Sequence, residues 1–175
     1  MIRNATIGLL SLMGITGCAP LGPVATERVA SSAIMKSDGA AAGNLQVFAA
    51  KDELILSAAF FSLPAGPHAV HLHQVGTCDG PAFTSAGAHL NPSGANHGTA
   101  DGKQGHLGDL PNVEIKASGS TAYEARISGI PSAILAEIQD ADGTAIVVHE
   151  SPDDYRTDPS GAAGARIACG VLTAN

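Results

Sequence analysis

The chain has 175 residues, a formal net charge of −7, 45% hydrophobic residues, 3% aromatics and no Trp. That length suits one domain with its own core, and an acidic balance without a clustered basic patch argues against nucleic acid or an anionic membrane surface as partner. Gly and Pro together make up about 18% of the chain, below the level of low-complexity disorder, and no apolar run reaches the roughly 18 residues that span a bilayer.

Met1-Ile2-Arg3-Asn4 gives a short positive start, and residues 5–15 form an apolar stretch of signal-peptide length. Ile15-Thr16-Gly17-Cys18 then resembles the lipobox of bacterial lipoproteins: an aliphatic residue, two small ones, and the cysteine to be lipidated. The resemblance implies a lipoprotein signal peptide over 1–17, lipidation of Cys18 and a tether over 18–26; a plain secretory signal that contains a cysteine is the alternative. Ala19, rather than Asp, follows Cys18, as in lipoproteins sent on to an outer membrane. The expected location is the bacterial cell envelope, anchored in the outer membrane through the lipid alone and facing the periplasm. Three cysteines are odd for an exported protein. With Cys18 taken by lipid, Cys78 and Cys169 remain as a pair able to form a disulfide in an oxidising compartment.

Beyond the tether come short apolar stretches punctuated by turn signals. Residues 28–36 run into Ser37-Asp38-Gly39, residues 44–50 into Lys51-Asp52, and residues 54–63 into Pro64-Ala65-Gly66-Pro67. Leu45, Val47 and Ala49 alternate with polar or opposite-face neighbours, and Leu54, Leu56, Ala58 and Phe60 hold one parity. Period-two patterning between Asp-Gly turns predicts antiparallel strands. Residues 112–117 and 121–127 flank Ser118-Gly119-Ser120 as a candidate hairpin, Ile146-Val147-Val148 is a β-branched run, and residues 166–172 close the chain. The pattern predicts an all-β sandwich or flattened barrel of seven or eight strands. Residues 131–138 suit a helical turn or a loop equally. Residues 76–111 carry little strand pattern, and a loop that long in a compact domain is usually functional.

All seven histidines fall between His68 and His149. His71 and His73, spaced i, i+2 on a predicted strand, present both rings on one face, the simplest way to give one metal two imidazoles. His68 has the opposite parity and suits a structural role, bonding loop backbone. The long loop adds His89, His97, His106 and Asp109, a closed four-ligand set suited to tetrahedral zinc. His149 ends a strand that can face His71 and His73. Six histidines and an aspartate exceed what one metal can use, so the residues imply two sites or a shared ligand.

The order and wording of these residues resemble the copper/zinc superoxide dismutases, in their bacterial exported branch. The matching words are Gly66-Pro67-His68-Ala69-Val70-His71-Leu72-His73, Thr84-Ser85-Ala86-Gly87-Ala88-His89-Leu90-Asn91-Pro92, His97-Gly98, His106-Leu107-Gly108-Asp109-Leu110-Pro111-Asn112, Val147-Val148-His149-Glu150 and Gly164-Ala165-Arg166-Ile167-Ala168-Cys169-Gly170. The resemblance implies an eight-stranded antiparallel Greek-key β-barrel or sandwich over 27–175, with long metal-binding and electrostatic loops. It makes His71, His73, His89 and His149 copper ligands and His89, His97, His106 and Asp109 zinc ligands, with His89 bridging both metals and able to take up a proton. Cys78 and Cys169 match the family's disulfide, and Arg166 the arginine that holds the anionic substrate, superoxide. Asp153 matches the carboxylate linking a copper-ligand histidine to a zinc-ligand histidine, with Asp154 adjacent as the alternative. The chain departs from the family pattern at Gln74-Val75-Gly76, and in a short 155–163 segment whose one basic residue is Arg156. Lys103, in the zinc loop, is left between a substrate-steering role and a solvated position.

The implied activity is dismutation of superoxide to dioxygen and hydrogen peroxide, protecting the cell envelope, by a monomer or homodimer. The other reading is a non-catalytic periplasmic copper- and zinc-binding protein of the same fold. The intact copper quartet with Arg166 favours the enzyme. A hydrolytic zinc enzyme needs an open zinc position, which this closed set lacks.

Overall fold

The structure, a computed structural model, describes residues 26–100 and 105–175. The expected signal peptide, Cys18, most of the tether and Lys103 lie outside the described residues.

The described residues form ten strands, against the seven or eight expected: β1 (Glu27–Lys36), β2 (Ala41–Ala49), β3 (Glu53–Phe60), β4 (Gly66–His68), β5 (Val70–His73), β6 (Val113–Ile115), β7 (Thr121–Ser128), β8 (Ala145–His149), β9 (Arg166–Val171) and β10 (Thr173–Ala174). Leu45 and Val47 of β2, Leu54, Leu56, Ala58 and Phe60 of β3, and Tyr123, Ala125 and Ile127 of β7 are buried in one core. Their odd-numbered or even-numbered neighbours face out, as the two-residue period of a strand requires.

The main sheet runs β5-β8-β9-β1-β2-β3-β7, with β10 added to β1, and its ladders are antiparallel. The neighbours β9–β1 and β3–β7 are distant in sequence, so the chain crosses over in Greek-key fashion rather than as a simple meander. The sheet curls into a half-barrel whose edges are joined by the small β4–β6 pair. Only Ala69 separates β4 from β5, so residues 66–73 form one extended run that pairs with β6 at one end and β8 at the other. The expected hairpin over 112–127 takes a different form. Its turn closes through Gly119 N–H to Lys116 O (2.8 Å) and Thr121 Oγ1 to Glu114 O (2.8 Å), but β6 ladders with β4 and β7 with β3.

The segment left between helix and loop is a two-turn helix, α1 (Pro131–Ile138), with proline in its first turn and Ile134 and Ile138 buried. Proline suits that position because the first helical N–H groups lack partners anyway.

Strands β5 and β8 are buried on both faces. Val70, Leu72, Ile146 and Val148 point into the core, whereas His71, His73, Ala145, Val147 and His149 point the other way. There they lie beneath the long loops: Phe83, Ala86, Ala145, Val147 and Cys169 form a second apolar cluster, with Cys78 packed against it. A Cys78–Cys169 disulfide closes this layer across 91 residues. Chain-entropy arguments give a crosslink of that span about 4–5 kcal/mol. Reduction is expected to lower Tm by about 10–20 °C for a domain of this size; an unchanged Tm with both thiols titrating as free would count against the role.

Candidate metal centre

Six histidine rings and two aspartates meet under the loops. His71 and His73 come from β5, and His149 from the end of β8. The register pairs His71 with Val147 and His73 with Ala145, which brings all three rings to one side of the sheet. The loop returns to the same strand: His73 and His89 form an isolated antiparallel bridge, as do His71 and Asp109. Leu72 N–H donates to Gly108 O and Leu90 N–H to Leu72 O. The strand backbone thus fixes where His89 and Asp109 stand.

Three groups of donor atoms within 4.8 Å of one another result: two clusters of four residues, and His71, His97 and Asp153 between them. In the first, His71 Nδ1, His73 Nε2, His89 Nε2 and His149 Nε2 are buried without a hydrogen-bond partner. Four orphaned acceptors in one place would be costly without an occupant. The opposite nitrogen of each of these four rings is engaged: His71 Nε2 with Asp153 Oδ2 (2.9 Å), His73 Nδ1 with Gly87 O (2.9 Å), His89 Nδ1 with Asp109 Oδ1 (2.9 Å) and His149 Nδ1 with Gly164 O (3.3 Å). A carbonyl accepts only, so His73 and His149 carry their proton on Nδ1 and leave Nε2 with a free lone pair. Burial above all pulls the pKa of His73 down to about 2 and of His149 to about 3, so both rings are neutral at neutral pH, as a metal-binding imidazole must be.

The second cluster gathers around Asp109 Oδ1, which lies 2.9 Å from His89 Nδ1, 3.0 Å from His97 Nδ1 and 3.2 Å from His106 Nδ1. Bonds of about 2.0–2.1 Å around a tetrahedral zinc put neighbouring ligand atoms about 3.3 Å apart, close to these separations. Burial alone would raise the Asp109 pKa. Hydrogen bonds from His89 and from the Gly98 and His106 N–H groups outweigh it and hold the carboxyl far below the usual range. His89 belongs to both clusters, Nδ1 facing Asp109 and Nε2 facing the first set. Burial lowers its pKa, against the opposing pull of Asp109.

The family profile of copper/zinc superoxide dismutase (SODC) matches residues 41–172. The chain belongs to the copper/zinc superoxide dismutase family. The "Superoxide dismutase [Cu-Zn]" of Caulobacter vibrioides is 38% identical over 147 residues, covering 82% of this chain and 84% of that protein. The "Superoxide dismutase-like protein YojM" of Bacillus subtilis is 32% identical over 192 residues, covering 100% of this chain and 98% of its own. A crystal structure of a SOD-like protein from Bacillus subtilis superposes with a TM-score of 0.76 at 33% identity, over 85% of this chain and 100% of that one.

Between the two clusters of this superoxide dismutase family member stands Asp153. Its Oδ2 accepts from His71 Nε2 and its Oδ1 from His97 Nε2 (3.0 Å), so one carboxylate orients a ring from each set. Burial would raise its pKa, but the bonds from His71, His97 and the Tyr155 N–H prevail and hold it at about 2. The neighbouring Asp154 is exposed and caps its own loop, accepting from the Arg156 and Thr157 N–H groups and the Thr157 hydroxyl. Of the two aspartates left open by the sequence, Asp153 is the one between the rings. His68 lies apart from both clusters, with Nδ1 2.7 Å from His149 O and Nε2 3.0 Å from Pro64 O.

A cavity of about 400 Å³ opens over the first cluster, lined by His73, His89, His149, Gly87, Gly164 and Arg166 among others. Arg166 donates from Nη1 to Phe83 O (2.6 Å) and from Nη2 to Gly87 O (2.7 Å). Burial lowers its pKa from the ordinary arginine value, yet a guanidinium keeps its charge at any working pH.

Sequence reasoning missed the residues that support the ligands through backbone or by lacking a side chain. The Gly87 carbonyl serves both His73 and Arg166. Gly161, at φ +66°, leaves no room for a Cβ, which would fall 1.8 Å from Asp153 Oδ1 and 2.8 Å from His97 Nε2. Gly161→Ala should therefore displace the Asp153 carboxylate and weaken metal binding by the second cluster about 10- to 100-fold, as read by titration with zinc against a chelator; unchanged affinity would contradict that reading.

Proposed function

We propose that the chain dismutes superoxide to dioxygen and hydrogen peroxide, with His71, His73, His89 and His149 holding copper and His89, His97, His106 and Asp109 holding zinc. The observation that carries this reading is the set of four buried, unpartnered imidazole nitrogens converging beside Arg166. Imidazole donors suit both oxidation states of copper, and the second set has the closed composition of a structural zinc site. Copper, when bound, supplies the one-electron exchange with superoxide. The protein's residues do the rest. Arg166 draws the anion into the cavity and orients it; Asp153, Gly87 and Gly164 hold the ligand rings in one tautomer. His89 Nε2, buried among the rings of the first cluster, would be able to hold a proton whenever it is not bound to copper.

Metal analysis of the purified protein should find about one copper and one zinc per chain, together with superoxide dismutation. The second reading, a metal-binding protein without turnover, is favoured by one observation: a relative over the whole chain is named superoxide dismutase-like. Full loading of both metals without dismutation would select it.

The same reading places the protein in the cell envelope, anchored by lipid on Cys18. The lipobox-like Ile15-Thr16-Gly17-Cys18 and the Cys78–Cys169 disulfide support it, since disulfides persist in oxidising compartments. Among the described residues no helix is long and apolar enough to cross a membrane. Cys18→Ser should move the protein out of the membrane fraction while leaving the domain active. A mature chain whose mass places its first residue elsewhere than Cys18 would defeat the assignment.

A further inference from the structure

The Asp153 carboxylate can orient two ligand rings only if its own backbone is held. Its segment is a loop, without a strand ladder to fix it. The fixing group is the side chain of Asn112, 41 residues earlier in the chain. Asn112 Nδ2 donates to Asp153 O (2.9 Å), and Asp153 N–H donates to Asn112 Oδ1 (2.8 Å). The carboxamide thus satisfies both backbone groups of one residue, as a neighbouring strand would.

Asn112 is itself held. Its N–H donates to the Tyr155 hydroxyl (2.8 Å), and the preceding residue, Pro111, accepts through its carbonyl from the Tyr123 hydroxyl (2.8 Å). Tyr123 is a core residue of β7 and packs its ring against Phe60 at 5.7 Å. Tyr155 closes the circuit: its N–H donates to Asp153 Oδ1 (2.6 Å), and its carbonyl accepts from Ala100 N–H (3.2 Å). Gly98 passes so close to that carbonyl that a Cβ would stand 2.2 Å from the oxygen. A rigid path therefore runs from the barrel core through Asn112 to Asp153, and from Asp153 to one ring of each metal cluster.

We infer that Asn112 is a positioning residue that sets both metal clusters at once, through the backbone of Asp153. The inference rests on the reading of the clusters as copper and zinc sites. It makes a distinctive demand. One substitution that touches neither ligand set must disturb both.

The test uses the full mature protein, with copper(II) in the first cluster and either zinc or cobalt(II) in the second. Asn112→Ala should weaken zinc binding about 10- to 100-fold, the usual effect of removing a group that orients a ligand. It should also shift the copper(II) electron paramagnetic resonance spectrum and the cobalt(II) visible bands together. Asn112→Asp, which keeps an acceptor for Asp153 N–H but loses the Nδ2 donor, and Tyr155→Phe, which removes the acceptor for Asn112 N–H, should shift both spectra in the same direction by less. They also carry the test if the alanine variant does not fold. Ile138→Val, at a buried position of helix α1, is the comparison: a packing loss that lowers the unfolding midpoint with both spectra unmoved. Asn112 variants that behave like Ile138→Val, less stable but with wild-type zinc affinity and spectra, would overturn the inference and leave the proposed function standing. Failure of the unsubstituted protein to bind either metal would overturn both.

Discussion

His89→Ala is expected to abolish dismutation and to take copper behaviour and zinc retention down together. His89 presents Nδ1 to Asp109 at 2.9 Å and a buried, unpartnered Nε2 to the rings of His71, His73 and His149. The ring is only 5% exposed, and its centroid lies 4.0 Å from that of His71 and 5.3 Å from that of His97, so no other residue can substitute for it by a rotamer change. Removal leaves three ligands in each cluster. Loss of a mere orienting partner costs 10- to 100-fold, so loss of a ligand common to both sites should lower activity by more than about 100-fold. Two further variants give the contrast. His106→Ala takes away a zinc-set ligand alone and should release zinc with a smaller change in the copper spectrum, whereas His73→Ala should do the reverse. Copper loss in His89→Ala with zinc retained as in the wild type would show that the two clusters do not share this ring.

What was legible in the sequence and what was not divides along a physical line. Strand parity is local, so Leu45 and Val47, the Leu54–Phe60 alternation and the common face of His71 and His73 could be read from spacing alone. The two-turn helix over Pro131–Ile138 was ambiguous because eight residues with two buried isoleucines carry too short a period to separate helix from loop. Turn chemistry is local and points to a hairpin over residues 112–127, whereas the partner of each strand is decided by the rest of the barrel. At the site, ligand types were legible because few residues bind metals and seven histidines fall in one half of the chain. Their support was not. Asp153 and Asp154 are the same side chain one position apart, and only the loop's path decides which meets His71 and His97. Carbonyls of Gly87, Phe83 and Gly164 exist at every residue, so nothing in their side chains marks them as partners of His73, Arg166 and His149.

Arg166→Ala is expected to lower the rate about 10-fold while copper and zinc contents stay unchanged, and Arg166→Glu to lower it further. A protein of net charge −7 has to attract an anion, which looks contradictory if only the far field is considered. A local positive group in a low-dielectric cleft focuses field lines and raises on-rates about 10- to 1000-fold, a general magnitude for which superoxide dismutases are themselves the standing example. Arg166 is built into such a cleft. It opens β9 three residues before the disulfide-bonded Cys169, and the carbonyls of Phe83 and Gly87 fix its guanidinium beside the cavity that His73, His89 and His149 line. These carbonyls are neutral acceptors, so they orient the cation without cancelling its charge. Arg166→Lys is informative for the same reason: an ammonium keeps the charge but lacks the planar fork that reaches two carbonyls at once, so its rate should lie between those of the wild type and Arg166→Ala. The wild-type rate should also fall with added salt, because at physiological ionic strength charges are screened over about 8 Å. In Arg166→Glu the local sign is reversed, so salt should relieve repulsion and the rate should fall less steeply or rise. Stopped-flow superoxide decay across a salt series measures all four proteins in one experiment, and equal low-salt rates for wild type and Arg166→Glu would remove Arg166 from substrate capture.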